Sequence, residues 1–280
     1  MRTLDSIEIT NAVKKLCMDA NYYLPCDIKS ALEKSRTAEK SHSAKLILDD
    51  ILKNAEIAKT DNMPICQDTG MAVFKVEIGQ NVHISGKNIT DAINDGVMQG
   101  YQGGYLRKSV VADPLRRTNT NTNTPAIIHY DIVDGDKVRI TFAPKGFGSE
   151  NMSALAMLKP AQGIDGVIDF VLKTVENAGS NPCPPIVVGV GIGGTMEKAA
   201  CLAKYALMRP IDSRNADEFY ADLEDTLLEK INKLGIGPQG LGGSTSALGV
   251  NVEVFATHIA GLPVCVNINC HATRHLQIII

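Results

Sequence analysis

Three cysteines of this 280-residue chain differ from the other four by the company they keep. Cys66 lies in "PICQDTG", Cys183 in "SNPCPPI" and Cys270 in "NINCHATRH". Each stands at a strand edge or in a turn rich in helix and strand breakers, and turns from distant parts of a chain can meet at one site. The intervals between them, 117 and 87 residues, match no short zinc or redox spacing, so on spacing alone each could equally be an incidental loop thiol. The Cys66 turn also sets a thiol two residues from a carboxylate, Asp68. That carboxylate could do proton chemistry, or it could close an Asx turn on its own backbone.

The remaining cysteines have blander settings. Cys17 falls on an apolar helical stripe, Cys26 precedes the capping Asp27, and Cys201 and Cys265 sit in a helix and a strand, so all four read as packing residues. His129 sits within a strand pattern and reads as a strand residue. Gly189-x-Gly191-x-x-Gly194 satisfies the dinucleotide fingerprint between a predicted strand and a predicted helix. The helix that follows runs into "RPIDSR" with no second parallel strand to carry the acidic ribose ligand, so a nicotinamide oxidoreductase is only a distant alternative. Neither a phosphate-binding Gly-x-x-x-x-Gly-Lys-Ser/Thr loop nor a Gly-x-Ser-x-Gly elbow occurs.

The elements that must position these residues follow from periodicity. Apolar residues at three and four spacing predict helices over 5–21, 27–36 and 42–59, with Ile7, Ile9, Val13, Leu16 and Cys17 near one face of the first. "MAVFKVEIG" predicts a strand and "NITDAINDGVMQGYQGG" a helix ending in glycines. The Thr-Asn run 118–124 reads as a low-complexity loop. "AIIHYDIV", an Asp-Gly turn and "KVRITFAP" predict a β-hairpin. Further on, "GIDGVIDFVLKTVENAG", "TMEKAACLAKYALM" and "ADEFYADLEDTLLEKINKLG" predict helices around a buried strand, "PIVVGVGIGG", and the last 34 residues predict paired strands. No repeat or linker is visible. The expected fold is α+β, mixed sheets covered by helices, as one domain over 1–280 with a helical portion at 1–60 and an α+β core at 61–280.

Composition narrows the classes of function. Apolar residues at 44% and charged residues at 21% describe a chain able to bury a large core. Its 28 basic and 31 acidic residues are mixed along the chain, which gives no electrostatic footprint for nucleic acid or an anionic membrane. No segment approaches the roughly 20 apolar residues of a membrane span, and no apolar signal region opens the chain. Seven cysteines at this length fit reduced thiols in a cytoplasmic protein.

Taken together, "PICQDTG", "YLRKSVVADPL", "APKGFGSENMSALAMLKP", "NPCPPIVVGVGIGGTMEKAA", "LGIGPQGLGGSTSALGVNVE" and "NINCHATRH" resemble, in order, the α subunit of the class I iron-sulfur-dependent fumarate hydratases and L-tartrate dehydratases. The likeness runs from about residue 40 to the C-terminus. It implies a [4Fe-4S] cluster held by Cys66, Cys183 and Cys270, with one iron left open to act as a Lewis acid on a substrate hydroxyl. It also implies Asp68 as the acid-base group with Gln67 beside it, Arg107 as a substrate-binding guanidinium, and His258 as an active-site histidine. Gly146 and Gly148 would present backbone amides to a substrate carboxylate.

One-chain members of that family continue into a second domain bearing further substrate arginines, a lysine and a proton-abstracting threonine. The resemblance therefore implies a separate β subunit, an α2β2 assembly and a small dicarboxylate substrate, and the apolar "LQIII" tail is expected to need a partner's cover. "KGFGSEN" and "HATRH" resemble fumarate hydratases more than tartrate dehydratases, so reversible hydration of fumarate to L-malate, as in the tricarboxylic acid cycle, is the expected reaction. A non-catalytic iron-sulfur carrier is the alternative from another class.

Overall fold

The computed structural model describes every residue from Met1 to Ile280. In chain order the elements are β1 (Arg2–Asp5), α1 (Ser6–Tyr22), α2 (Cys26–Ala38), α3 (His42–Asp61), β2 (Met71–Gly79), β3 (Val82–Ser85), α4 (Ile89–Gly103), β4 (Ile127–Val133), β5 (Val138–Lys145), α5 (Phe147–Glu150), β6 (Ala154–Leu158), α6 (Gly163–Ala178), β7 (Ile186–Gly193), α7 (Met196–Ala206), α8 (Glu218–Lys233), β8 (Ala247–Phe255), β9 (Leu262–Asn269) and β10 (Leu276–Ile279). This is a mixture of helices and sheets, as the α+β expectation has it. Two compact units form, one from residues 1–25, 55–147 and 274–280, the other from residues 26–54 and 148–273.

In the first unit Asp5 caps α1, its carboxylate accepting the Ile7 amide at 2.8 Å. Ile9, Val13, Leu16 and Cys17 are buried as their spacing demands. Ile7, expected on the same stripe, is exposed, because a residue two positions from Ile9 lies some 200° around the helix. Glycines set the packing of α4 on α1: a Cβ on Gly96 would come within 2.7 Å of the Thr10 carbonyl oxygen, and one on Gly100 within 2.8 Å of the Cys17 Cβ. Beneath them the sheet runs β10-β5-β2-β4, with Phe74 and Phe142 at 4.9 Å between ring centroids. A separate two-stranded ribbon pairs β1 with β3.

The expected hairpin between β4 and β5 does not form, although both strands and the Asp-Gly turn are present. Instead β2 lies between them, parallel to β4 and antiparallel to β5. β2 turns Ala72, Phe74, Val76 and Ile78 to the core and Lys75 and Glu77 to the other face, and it is more buried than β4, which is mostly exposed and suits an edge. The 134–137 turn spans the end of β2 and is held there, with the Asn81 amide donating to the Gly135 carbonyl at 3.0 Å and the Gly79 amide to Lys137 at 2.8 Å.

The second unit repeats this arrangement with different strands: its sheet is β6-β9-β7-β8. Here too the expected direct pairing of the last long strands, β8 and β9, gives way to a buried strand between them, β7, parallel to β8 and antiparallel to β9. Ile186, Val188, Val190 and Ile192 of β7 pack with α6 and α8. The opposite face of β7 carries Gly189 and Gly191, where a Cβ would fall 2.3 Å from the Ala203 carbonyl oxygen and 2.1 Å from that of Ala199 in α7. The glycine fingerprint is thus accounted for by close helix-strand contact.

The tail expectation is also corrected. "LQIII" is not left for a partner to cover: β10 pairs antiparallel with β5, and Leu276, Ile278 and Ile280 pack on the first unit's core. The alternation of "LQII" is that of a half-buried edge strand.

Candidate functional site

In the first unit the residues 66–70 make a turn held at Cys66, Asp68, Thr69 and Gly70, with Gln67 exposed. The Asp68 amide donates to the Cys66 sulfur at 3.4 Å. Asp68 Oδ1 accepts the Gly70 amide at 3.0 Å, the Asx turn read from sequence, while Oδ2 accepts the Phe147 amide at 2.8 Å from a loop 79 residues away. The carboxylate is therefore oriented at both oxygens. Gly70 has φ +73°, and a Cβ there would lie 2.7 Å from the Lys145 backbone nitrogen, so glycine is required at this point.

Buried side chains hold the turn from beneath. The Tyr101 hydroxyl donates to the carbonyls of Thr69 at 2.7 Å and Gly70 at 3.1 Å. Burial, with smaller contributions from Cys17 and Asp68, raises this phenol well above its ordinary range, so it remains a donor. Arg274, 2% exposed, donates through Nη1 to Asn21 Oδ1 at 2.7 Å and through Nη2 to the Asp68 carbonyl at 2.9 Å. In the sequence Tyr101 is one residue of a helix pattern and Arg274 one residue of a motif. A buried arginine leaves no periodic signal in sequence.

Arg107 is reached by the same turn, because Thr69 Oγ1 donates to the Arg107 carbonyl at 2.9 Å. The Thr-Asn run, expected to be low-complexity loop, is built structure here. Asn123, fully buried, accepts the Ser109 amide at 2.7 Å and donates to the Gly70 carbonyl at 3.1 Å, while Asn119 donates to the Lys108 carbonyl at 2.9 Å. Asn121 and Asn123 adopt φ of 62° and 59°, a conformation asparagine tolerates better than most residues. That tolerance is the signal the asparagines carry in the sequence.

A cavity of about 460 Å³ results, lined by Asp68 and Arg107 together with Phe147 and the 109–117 loop. A shallower recess beside it, about 360 Å³, is lined by Cys66, Gln67 and Arg107. Cys66, Gln67, Asp68, Arg107 and Gly146 are thus brought together. Gly146 is explained by space: a Cβ there would lie 3.1 Å from Asp68 Oδ2. The next residue of this loop, Phe147, donates its amide to the same Asp68 oxygen at 2.8 Å.

In the second unit the turns of Cys183 and Cys270 are joined. The His271 amide donates to the Cys183 carbonyl at 3.2 Å, and the His271 ring nitrogen Nδ1 lies 3.0 Å from the same oxygen. Gln239 clamps the next residue, its backbone and side-chain nitrogens donating to the Pro184 carbonyl at 2.7 and 2.9 Å. Cys183 itself has φ +54°. Gly148, in α5, places a built Cβ 3.8 Å from the Asn181 carbonyl oxygen, two residues before Cys183.

His258 is not brought to these turns. Cys183 precedes the first strand residue of β7 and Cys270 follows the last of β9, at one end of the sheet. His258 follows β8, whose Phe255 pairs with Gly193 at the other end, the length of β7 or about 23 Å away. There it is exposed and its Nδ1 accepts the Ala260 amide at 3.2 Å.

Within neither unit do three His, Cys, Asp or Glu side chains gather as a metal centre. The donor chemistry nonetheless suits a thiolate-ligated group. Cys66 presents a sulfur with an amide hydrogen bond of the kind that tunes cluster thiolates, and Cys183 and Cys270 sit on turns locked to each other.

The fumarate hydratase (Fumerase) family model matches residues 10–279. Over 274 residues, 96% of either chain, the sequence is 46% identical to a Methanocaldococcus jannaschii protein described as "Putative L(+)-tartrate dehydratase subunit alpha". It is 34% identical over 271 residues to the L(+)-tartrate dehydratase subunit alpha of Escherichia coli, covering 95% of this chain and 89% of that one. With the corresponding subunit of Shigella sonnei the identity is 33% over the same length.

Proposed function

Because the chain belongs to the fumarate hydratase (Fumerase) family, we propose that it is the α subunit of a hydro-lyase that interconverts fumarate and L-malate. The observation that carries this is the convergence of an oriented carboxylate, Asp68, and an unpaired guanidinium, Arg107, on one cavity next to the Cys66 turn.

Cys66, Cys183 and Cys270 would hold a [4Fe-4S] cluster, which when bound supplies Lewis acidity toward the substrate hydroxyl. The chain's own groups do the rest. Arg107 pairs with a substrate carboxylate through the forked geometry that a lysine lacks. Asp68 holds and moves a proton at the hydroxyl oxygen, its orientation set in advance by the Gly70 and Phe147 amides. Gln67, exposed at the rim, is a hydrogen-bonding neighbour. Gly148 stands in the loop expected to contact substrate, and His258 receives no step, given its place at the far end of its sheet.

The base that removes the carbon-bound proton would come from a separate β subunit, in an α2β2 assembly, in keeping with relatives named as subunit alpha. A cytoplasmic location suits thiolate ligands, which need a reducing compartment. No helix of the structure is long and apolar enough to cross a membrane.

A second substrate has a specific observation in its favour: the relatives above carry the name of L(+)-tartrate dehydratase. The two readings separate on one measurement, the dehydration of L-malate and of L-tartrate by the α and β chains reconstituted together without oxygen. Malate turnover above tartrate supports fumarate hydratase, and the reverse order assigns tartrate. A cluster whose spectrum ignores malate, fumarate and tartrate alike would make the chain a carrier.

A further inference from the structure

We infer that Arg117 is a second carboxylate-binding residue of the Asp68–Arg107 cavity, gripping the distal carboxylate of the substrate and so selecting dicarboxylates over monocarboxylates. This deepens the hydro-lyase proposal and rests on it for the identity of the diacid.

Arg117 lines the same cavity as Arg107 and Asp68, and the rest of its lining is Ser109 and the apolar Met71, Val110, Val111, Pro114 and Phe147. The cavity therefore holds two guanidiniums against one carboxylate. Both oxygens of that carboxylate are already engaged by backbone amides, and neither arginine side chain makes an ion pair within the protein. Two cations on one largely apolar cavity repel each other until an anion stands between them, and an anion with two carboxylates satisfies both.

The loop is shaped to aim this side chain. Arg117 adopts φ +62°, a left-handed conformation that a long side chain disfavours and keeps only where its surroundings dictate it. Its amide donates to the Asp113 carbonyl at 3.0 Å, and Asp113 Oδ1 accepts the amides of Leu115 at 2.9 Å and Arg116 at 2.6 Å. On either side, the Ala112 amide donates to Thr118 at 2.7 Å and the Thr120 amide to Val110 at 2.9 Å. Arg117 and the neighbouring Arg116 are both exposed, but only Arg117 lines the cavity, which makes Arg116 the natural control.

The test uses the anaerobically reconstituted holoenzyme with Arg117→Met, Arg117→Lys and Arg116→Met. Arg117→Met is expected to raise the KM for malate at least tenfold with kcat within about threefold, and to raise the inhibition constant of succinate, a competitive diacid, toward that of butanoate, which lacks the second carboxylate. Arg117→Lys should fall between, and Arg116→Met should match the parent. Succinate binding measured by calorimetry gives a readout independent of turnover, and Arg117→Met should weaken it to the level of butanoate. Unchanged KM and unchanged succinate binding in a folded Arg117→Met protein would overturn the inference while leaving the hydro-lyase standing. Arg117-dependent succinate binding in a protein that dehydrates neither malate nor tartrate would do the opposite.

Discussion

Arg274 Nη2 donates to the carbonyl of Asp68 at 2.9 Å, so a guanidinium near the end of the chain supports the backbone of the candidate acid-base residue from inside the core. Its other arm holds Asn21 Oδ1 at 2.7 Å, and the Asn21 carbonyl in turn accepts the Ile65 amide at 2.9 Å, one residue before Cys66. No carboxylate neutralises this buried charge, which is held by amide and carbonyl dipoles alone.

Replacing Arg274 with methionine removes both arms at once and leaves Asn21 Oδ1, which is buried, and the part-buried Asp68 carbonyl without this donor, at about 1–3 kcal/mol for the buried one. Thermal unfolding should show the loss. In whatever fraction folds, kcat should fall more than KM rises, because Asp68 shifts while Arg107 keeps its place. An unchanged melting temperature would show that the guanidinium carries no structural load.

Asp68→Asn separates chemistry from cluster binding. The variant should retain the parent's iron and sulfide content after reconstitution and lose roughly 100-fold or more in turnover, the usual weight of a positioned acid-base group. An asparagine offers only one oxygen to the Gly70 and Phe147 amides, so slight loosening of the turn is also expected. Full turnover by the variant would remove Asp68 from the mechanism.

Gly70→Ala should be poorly tolerated. Its φ of +73° disfavours a side chain by about 1–2 kcal/mol, before counting the 2.7 Å approach to Lys145. A denaturant midpoint equal to that of the parent would contradict the geometry.

Glu39 predicts a pH dependence in the second unit. Oε1 accepts the amides of Lys40 at 2.8 Å and Ser41 at 3.1 Å, and Oε2 those of Ser244 at 2.9 Å and Thr245 at 3.2 Å. Burial pushes this carboxyl up, but the hydrogen bonds from Ser41, Ser244 and Lys40 together outweigh it, and the net shift is downward. A lowered folded-state pKa means stability that is present above the unfolded value of about 4.3 and lost as pH falls through the folded value. Chemical denaturation should therefore find Glu39→Gln less stable than the parent at pH 7, with the gap closing below about pH 4. A gap that stays constant with pH would show that the carboxylate's charge is not involved.

The local elements were legible because their causes are local. Apolar spacing placed α1, α2 and α3, and β2 spans the same residues as the strand read from "MAVFKVEIG". Strand pairing was not legible. The Asp-Gly turn pointed to a β4–β5 hairpin, yet any strand can bond on two edges: β7 takes an inner position with every residue buried, and β2 takes one while the mostly exposed β4 is left at the edge. The candidate site divides in the same way. Cys66, Asp68 and Arg107 could be named from motif resemblance, whereas Arg117, Asn123, Tyr101 and Arg274 could not, since the hydrogen bonds of the last three reach residues 14 to 253 positions away and Arg117 acts only through the cavity it shares.

The sequence by itself determined which segments coil, which extend and where the chain turns, since propensity, periodicity and glycine or proline breaks act over a few residues. It also set the chemical inventory, thiols and a carboxylate in breaker-rich turns, and with it the family. Tertiary structure alone decided which strand lies between which, that His258 stands at the opposite end of its sheet from Cys183 and Cys270, and that Arg107 and Arg117 face one cavity. These outcomes turn on how deeply each strand is buried against its neighbours and on hydrogen bonds between distant residues, quantities that exist only once the chain has closed on itself.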